Sequence, residues 1–287
     1  MPTTYAHWKF GDAALKNLPE DLQKTVNQYR TLFDYGVHGP DIFFYYKVIK
    51  GNEINEFGDY LHGVAMRDIL ADFKKNCQTS GNKDASLAYI LGFLAHFTLD
   101  SYCHGYIDLK AETEGPSHGK IESQYDRHLL IKDGRDPVKT SVTTSLRPSR
   151  YDAAVIAHLF GRYSDEEFYG ILKDMKFYLD LLKDDSDVKR FLLQTAMKAA
   201  KKYKYLNLLI TRVNEPSCIS SNMRLDKYFA KAAEHYPILA ASAMEYLEEG
   251  KELSSYFNNH FGPKPDYKDI PILSQQEEKD YTVGLQK

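Results

Sequence analysis

Residues 92–108 read GFLAHFTLDSYCHGYID, an apolar stretch of helical character that carries His96, Asp100 and His104 at steps of four. At about 100° per residue, side chains four and eight positions apart lie on the same face of a helix. Neighbours at this spacing are about 5–6 Å apart, close enough to share a metal ion or a hydrogen-bond network. Two histidines and a carboxylate on one stripe of an apolar helix therefore indicate a functional site.

The composition is that of a globular chain without an excess of basic charge. Its 287 residues are 43% hydrophobic, and 37 basic side chains stand against 40 acidic ones. This is enough apolar material for a substantial core, which excludes a disordered chain. Nucleic acid is not the expected partner, because binding to its phosphates usually requires a basic excess.

Targeting and redox features predict a cytoplasmic protein. The N-terminal residues 1–22 lack the apolar run of a signal peptide, and no apolar span of about 18 residues follows. The three cysteines, Cys77, Cys103 and Cys218, are odd in number and far apart. We therefore expect no disulfide framework and a reducing compartment. Nothing in the sequence indicates the oligomeric state.

Helical periodicity is frequent and strand alternation is scarce, which predicts one all-α domain over residues 1–261, followed by a polar, extended tail at 262–287. The predicted elements are a helix from Pro19 to Gly36, a helix from about Phe57 through Phe73, a helix from about Asp84 to Tyr106, a polar loop at 109–117, a helix from His118 with Ser117 as its N-cap, a turn-rich segment at 133–150, and four or more helices between Tyr151 and Phe257. The lysine-rich KAAKKYKY at 198–205 is interpreted as the solvated face of a helix.

Further candidate ligands lie on both sides of the 92–108 helix. The glycines and proline of GVHGPD, residues 36–41, place Asp41 at a loop or a loop-to-helix junction, and His118 and Glu122 again stand four apart. The full candidate set is His7, Asp41, His62, His96, Asp100, His104, His118 and Glu122. Imidazoles mixed with carboxylates suit zinc, with iron or manganese as less selective alternatives.

The order of these motifs resembles the zinc-dependent phospholipases C of bacteria, whose all-helical fold is shared with secreted fungal zinc nucleases. The resemblance is densest over residues 87–126, which contain HxxxD, the following His104 and HxxxE, and weaker over GVHGPD and GDYLHG. It implies a single-domain helical bundle in which a cluster of two or three metal ions hydrolyses phosphodiesters.

The resemblance also implies a role for each candidate. One metal would be held by Asp41, His62, His96 and Asp100, a second by His104, His118 and Glu122, and a third by His7 and Asp100. Asp41 would in addition accept a proton from the attacking water. The family's N-terminal tryptophan, a ligand of the third metal, is absent here, and Asp100 and His104 are two residues closer than in the phospholipases.

The N-terminus offers a substitute for that tryptophan. Pro2, exposed by removal of the initiator methionine, would lie five residues before His7 and bind the third ion through its amine and carbonyl. The alternatives are a third ion completed by water and a two-metal site without His7.

The leading functional interpretation is a metal-dependent phosphoric ester hydrolase that cleaves a phosphodiester, with a phospholipid as one such substrate. The aromatic residues Phe43, Phe44, Tyr45 and Tyr46 beside Asp41 either line a groove for an amphiphilic head group or pack in the core. A zinc nuclease, and a metal-binding protein that retained the site without catalysis, are the alternatives. An open coordination position would favour catalysis, since structural zinc sites are normally closed.

Overall fold

The computed structural model describes residues 4–183, 186–199, 206 and 209–286. The α-helices, in chain order, are α1 (Thr4–Lys16), α2 (Glu20–Gln28), α3 (Arg30–Gly36), α4 (Glu53–His62), α5 (Met66–Gln78), α6 (Lys83–Glu114), α7 (His118–Lys132), α8 (Arg150–Phe160), α9 (Asp165–Leu182), α10 (Asp187–Ala199), α11 (Ile219–Glu249) and α12 (Gln275–Asp280). Short 3₁₀ helices span Gly39–Tyr45, Pro216–Cys218, Ser255–Asn258 and Tyr267–Asp269. These ranges contain no strand, and the predicted all-α single domain is confirmed.

Helix α6 lies at the centre of the fold. It is apolar around most of its circumference and is enclosed by α1, α3, α5, α7 and α11. At the crossing with α3, Gly36 and Gly92 meet: a Cβ on Gly92 would lie 2.2 Å from the carbonyl oxygen of Phe33 and 3.0 Å from the Cα of Gly36. Only glycine permits two helix backbones to approach so closely.

Helix α6 is longer than predicted. Asn82 caps its first turn by accepting a hydrogen bond from the amide of Ala85, and the helix ends at Gly115, whose φ is 96°. The predicted polar loop at 109–117 was wrong over 109–114, which continue the helix. Polar residues alone do not stop a helix, whereas a left-handed glycine followed by a proline does.

Two predicted helices are each divided in the structure. The segment from Pro19 to Gly36 forms α2 and α3, because Tyr29 leaves helical geometry with φ of −118° and ψ of 39°. The segment from Phe57 to Phe73 forms α4 and α5, which separate after His62. Ser117 does precede α7 as predicted, but its side chain makes no capping hydrogen bond.

The C-terminal segment packs against α6 and α11, which its polar composition did not predict. Glu278 of α12 is fully buried, accepts a hydrogen bond from the Nε of Arg224 of α11 at 3.1 Å and forms an ion pair with its Nη2 at 2.8 Å. The ring of Tyr281 stacks 4.0 Å from the Arg224 guanidinium. The division into a domain of 1–261 and a tail of 262–287 stays a prediction. Most of KAAKKYKY lies outside the described residues, namely residues 200–205.

None of the helices in the described ranges is both long enough and apolar enough to cross a membrane. Cys77, Cys103 and Cys218 are free thiols.

Candidate metal centre

Helix α6 presents the predicted stripe on one face. The Nε2 of His96 lies 3.0 Å from one oxygen of Asp100, and the Nε2 of His104 lies 3.6 Å from the other. His96 and Asp100 are almost completely buried. Helical spacing therefore brings these three donors together, as the sequence predicted.

Asp41 reaches the same place from the 3₁₀ helix Gly39–Tyr45. The preceding Gly39 has φ of 49°, and a Cβ there would lie 2.4 Å from the ring of His96. This glycine lets the chain pass directly over the imidazole. One oxygen of Asp41 then lies 3.7 Å from the Nε2 of His96, and the other lies 3.1 Å from the Nε2 of His62.

Helix α7 supplies the other side of the centre. His118 and Glu122 are one turn apart, and the His118 Nε2 lies 3.0 Å from the Glu122 carboxylate. That carboxylate is also 3.6 Å from the Nε2 of His104 on α6. Although the distance along the chain between Asp100 and His104 is shorter than in the phospholipases, His104 still points at α7.

Helix α1 brings His7 to the centre, because hydrogen bonds to Asp126 of α7 fix the first turn of α1. Both oxygens of Asp126 accept hydrogen bonds, from the amides of Tyr5 at 3.0 Å and Ala6 at 2.7 Å. His7 is buried, its ring stacks on that of His96 with centroids 4.1 Å apart, and its Nε2 lies 3.1 Å from Asp100. Pro2, the predicted substitute ligand, lies outside the described residues.

Four of the histidines are held through Nδ1, so that Nε2 faces the centre. The Nδ1 partners are the carbonyl oxygen of Gly58 for His62 at 2.7 Å, that of Val37 for His96 at 3.2 Å, that of Phe261 for His104 at 2.5 Å, and the Asp108 carboxylate for His118 at 2.6 Å. An Nδ1–H that donates in this way leaves a lone pair on Nε2. Metal-binding histidines are characteristically oriented by such outer partners.

The donor atoms form three groups that could each hold a metal ion, with all donors of a group within 4.8 Å of one another: His7, His96 and Asp100; Asp41, His62 and His96; and His104, His118 and Glu122. Both oxygens of Asp41 and one each of Asp100 and Glu122 are buried without a hydrogen-bond partner among the described residues. Burying carboxylate oxygens without hydrogen bonds is costly unless a cation compensates them. The residues therefore fit zinc in number, type and orientation.

The protonation equilibria of the centre reflect this concentration of carboxylates. Burial alone would lower the pKa of His96 and of His118, but Asp100 raises the first to about 8 and Glu122 raises the second to about 10. Burial likewise opposes ionisation of Asp100, yet the histidines around it, His104 foremost, hold its pKa well below its ordinary value. Without metal, imidazolium groups thus supply the positive charge that the buried carboxylates need.

A small cavity of about 20 Å³ adjoins His7, Asp100, His104 and Glu122. One water-sized particle needs roughly 10–15 Å³ by this measure. The centre therefore has space for a water or an ion between α1, α6 and α7.

The aromatic run beside Asp41 is divided between the core and the candidate metal centre. Phe43 and Tyr45 are buried in the core, whereas Phe44 is half-buried and stacks on the ring of His62 with centroids 5.3 Å apart. Burial alternates along the run, since Tyr46 is also half-buried, and a run of four aromatic residues does not reveal this alternation by itself.

Sequence reasoning missed the outer partners. Asp108 stands four residues after His104, the same spacing that identified the other candidates, and this spacing could have indicated it. The carbonyls of Val37, Gly58 and Phe261 leave no such signal, because any residue carries one. The histidines outside the candidate set, His38, His128, His158, His235 and His260, belong to none of the three groups found in the described chain.

A comparison with known families agrees with this geometry. A family model described as zinc dependent phospholipase C matches residues 6–178, a range that includes all eight candidate ligands and Asp108. No curated protein and no solved structure matches the chain significantly. Since the family model covers more than half of the 287 residues, the chain belongs to the zinc-dependent phospholipase C family.

Proposed function

We propose that this protein is a zinc-dependent phosphodiesterase that hydrolyses a phosphodiester, with a phospholipid as the leading substrate. One observation carries the proposal: imidazole Nε2 atoms and buried carboxylate oxygens from α1, α4, α6, α7 and the 3₁₀ helix converge in three adjoining groups. The proposed ligands are Asp41, His62, His96 and Asp100 for one ion, His104, His118 and Glu122 for a second, and His7 with Asp100 for a third. Iron or manganese would suit the same donors less selectively.

The residues of the centre divide the work of hydrolysis. Bound zinc supplies positive charge that acidifies water and neutralises the phosphate oxygens. Asp41 is the proposed base, because both its oxygens lack a hydrogen-bond partner among the described residues. The closer histidine is His62, whose Nδ1 already donates to the carbonyl oxygen of Gly58. The outer partners keep the imidazoles from turning away while charge develops on the substrate.

The openness of the centre supports catalysis over a structural role. His62 is 23% exposed and His118 is 31% exposed, whereas His96 between them is fully buried. Structural zinc sites are normally closed, and catalytic sites keep an accessible position. Phe44, half-buried beside His62, would contact an apolar part of the substrate. The cytoplasmic location stays a prediction.

Hydrolysis of a chromogenic phosphodiester tests the proposal. We expect the zinc-loaded protein to cleave it, chelation to stop cleavage and added zinc to restore it. His118→Ala and Asp41→Asn should both lose cleavage and keep the helical circular dichroism spectrum. His158→Ala, which removes an exposed histidine far along the chain from the centre, is the matched control and should remain active. Full activity in a chelated sample would contradict the mechanism. Preferential cleavage of single-stranded nucleic acid would favour the nuclease.

Zinc uptake at pH 7 is expected to release protons. In the metal-free protein the pKa of His96 is about 8 and that of His118 about 10, so both rings hold a proton at pH 7 that zinc must displace from Nε2. The apparent affinity for zinc should therefore rise with pH through the neutral range. Calorimetric titration in two buffers of different ionisation enthalpy measures the release, for which we expect at least about one proton per chain. Elemental analysis should give at least two ions per chain, because the groups that contain His62 and His118 share no residue. Uptake without proton release would contradict the ligand assignment.

A further inference from the structure

Phe261 contacts three of the proposed metal ligands at once. Its carbonyl oxygen accepts a hydrogen bond from the Nδ1 of His104 at 2.5 Å. The centroid of its ring lies 5.6 Å from that of His62 and 5.7 Å from that of His96, with interplanar angles of 58° and 49°. His62 and His96 belong with Asp41 to one group of donor atoms, and His104 belongs to a group that shares no residue with it. A single residue therefore contacts two separate groups of the centre.

The ring of Phe261 has little freedom to move. It is fully buried, and it makes edge contacts with the rings of Phe93 and Phe97 on α6, at centroid distances of 5.6 and 5.5 Å. Side chains in a close-packed interior occupy rotamer minima and leave few voids, and edge-to-face contacts between aromatic rings add specific geometry. The ring is therefore a rigid surface beside the imidazoles of His62 and His96.

The chain that leads to Phe261 is bonded to α5 and α6. The amide of Met66, the first residue of α5, donates to the carbonyl oxygen of Asn259 at 3.0 Å. The hydroxyl of Tyr256 is hydrogen-bonded to that of Ser101 on α6 at 2.9 Å. These bonds fix the backbone of the segment on both helices, so the carbonyl oxygen of Phe261 is held in place independently of its side chain.

The two kinds of contact restrict an imidazole in different ways. A hydrogen bond from Nδ1 fixes one atom, whereas a neighbouring ring restricts the plane of the imidazole. The second contact matters most for His96, because its Nδ1 lies 3.2 Å from the carbonyl oxygen of Val37, the longest of the four Nδ1 contacts. Groups that orient a metal ligand from outside contribute strongly to metal affinity. Phe261 lies beyond residues 6–178, which the family model matches.

We propose that Phe261 is a positioning residue for the metal centre, orienting His62 and His96 with its ring and His104 with its carbonyl oxygen. The identity of the ion, zinc, rests on the proposed function. Because the ring and the carbonyl contact different groups of donors, a change of the side chain alone weakens only the groups that contain His96.

The affinity of the full chain for zinc, measured by competition with a chromogenic chelator, tests the role of the ring. Phe261→Leu keeps the carbonyl oxygen and an apolar side chain but removes the flat ring, and it should weaken the binding of at least one ion by about tenfold. The loss should persist in the His118→Ala background, which retains the groups that contain His96. In the His96→Ala background, which retains the group of His104, the change should be no more than about twofold. An equal loss in both backgrounds would contradict a local role of the ring.

Phe257→Leu is the matched control. Phe257 is equally buried in the same segment and packs on Phe97 with ring centroids 6.1 Å apart, and in the described part of the chain its ring contacts no proposed ligand. This variant should lower the melting temperature as Phe261→Leu does, yet keep the zinc affinity within about twofold of the parent. The visible absorption of the cobalt(II)-loaded protein, which reports the geometry of the donors, should change in Phe261→Leu and stay the same in Phe257→Leu.

An unchanged zinc affinity and cobalt spectrum in folded Phe261→Leu would overturn the proposal, as would an equal loss of affinity in Phe257→Leu. Circular dichroism establishes folding, and Phe261→Met is measured in the same way if the leucine variant does not fold. The titrations contain no substrate, so the two proposals fail separately. A parent that binds zinc without hydrolysing a phosphodiester refutes the phosphodiesterase, whereas an active parent whose zinc affinity is insensitive to Phe261→Leu refutes the positioning role.

Discussion

Replacing Asp100 with asparagine is expected to lower hydrolysis of a chromogenic phosphodiester by at least about 100-fold, since removing an outer partner of a metal ligand alone costs about 10–100-fold. The two Asp100 oxygens lie against different imidazoles, those of His96 on one side and of His7 and His104 on the other. Asparagine keeps the volume but removes the negative charge shared by the adjoining groups. The measurements are kcat/KM and the zinc content of the purified variant.

Substitutions of two other carboxylates serve as references for the activity of the Asp100→Asn variant. Asp108→Asn retains a hydrogen-bonding side chain beside the His118 Nδ1, so its loss should not exceed about 10–100-fold. Asp226→Asn disrupts an aspartate–histidine pair with His128, outside the three metal groups, and should leave kcat/KM unchanged. If Asp100→Asn retained both its zinc and its activity, Asp100 would not connect the metal sites.

The largest expected loss of stability comes from Gly92→Ala. In an ordinary helix interior this change stabilises by about 1 kcal/mol, because alanine has the higher helix propensity. Here the added Cβ would lie 2.2 Å from the Phe33 carbonyl oxygen, a backbone atom that can move only if α3 moves. We expect a free energy of unfolding lower by about 3 kcal/mol, and a melting temperature lower by roughly 6 °C or more.

Gly81→Ala is the matched control for the helix crossing, because a Cβ on Gly81 meets no atom within 4 Å. Its free energy of unfolding should change by less than about 0.5 kcal/mol. Thermal denaturation followed by circular dichroism compares both variants with the parent. If the Gly92→Ala protein melted at or above the parent's melting temperature, α3 could move away from α6 without a loss in the free energy of unfolding.

The sequence predicted the parts of the centre that depend on helical spacing. His96 with Asp100, and His118 with Glu122, are one turn apart on helices with clear apolar patterns, so their meeting follows from local geometry. The convergence of His7, Asp41 and His62 depends on tertiary packing, and only the resemblance to a family placed them beside α6. No periodicity encodes the approach of Gly36 to Gly92.

Helix boundaries were predicted less well than helix faces. The apolar pattern continues across His62 into α5, although the helix ends there. The amide of Met66 instead donates a hydrogen bond to the carbonyl oxygen of Asn259. A bond between residues so far apart in sequence cannot be read from a local window. The burial of Glu278 was missed for the same reason, since its partner, Arg224, lies on another helix.

The hydrogen bond from His104 to the carbonyl oxygen of Phe261 joins residues 157 positions apart. During folding, contacts across such a long loop form after local ones, because the entropy of loop closure is lost before the contact stabilises anything. His96 and Asp100 become neighbours as soon as α6 forms, whereas His104 acquires its final orientation only once the chain around Phe261 has arrived. The proposed metal ligands would therefore be assembled in stages, and we expect a refolding chain to capture zinc in a slow phase that reports the arrival of that segment rather than helix formation.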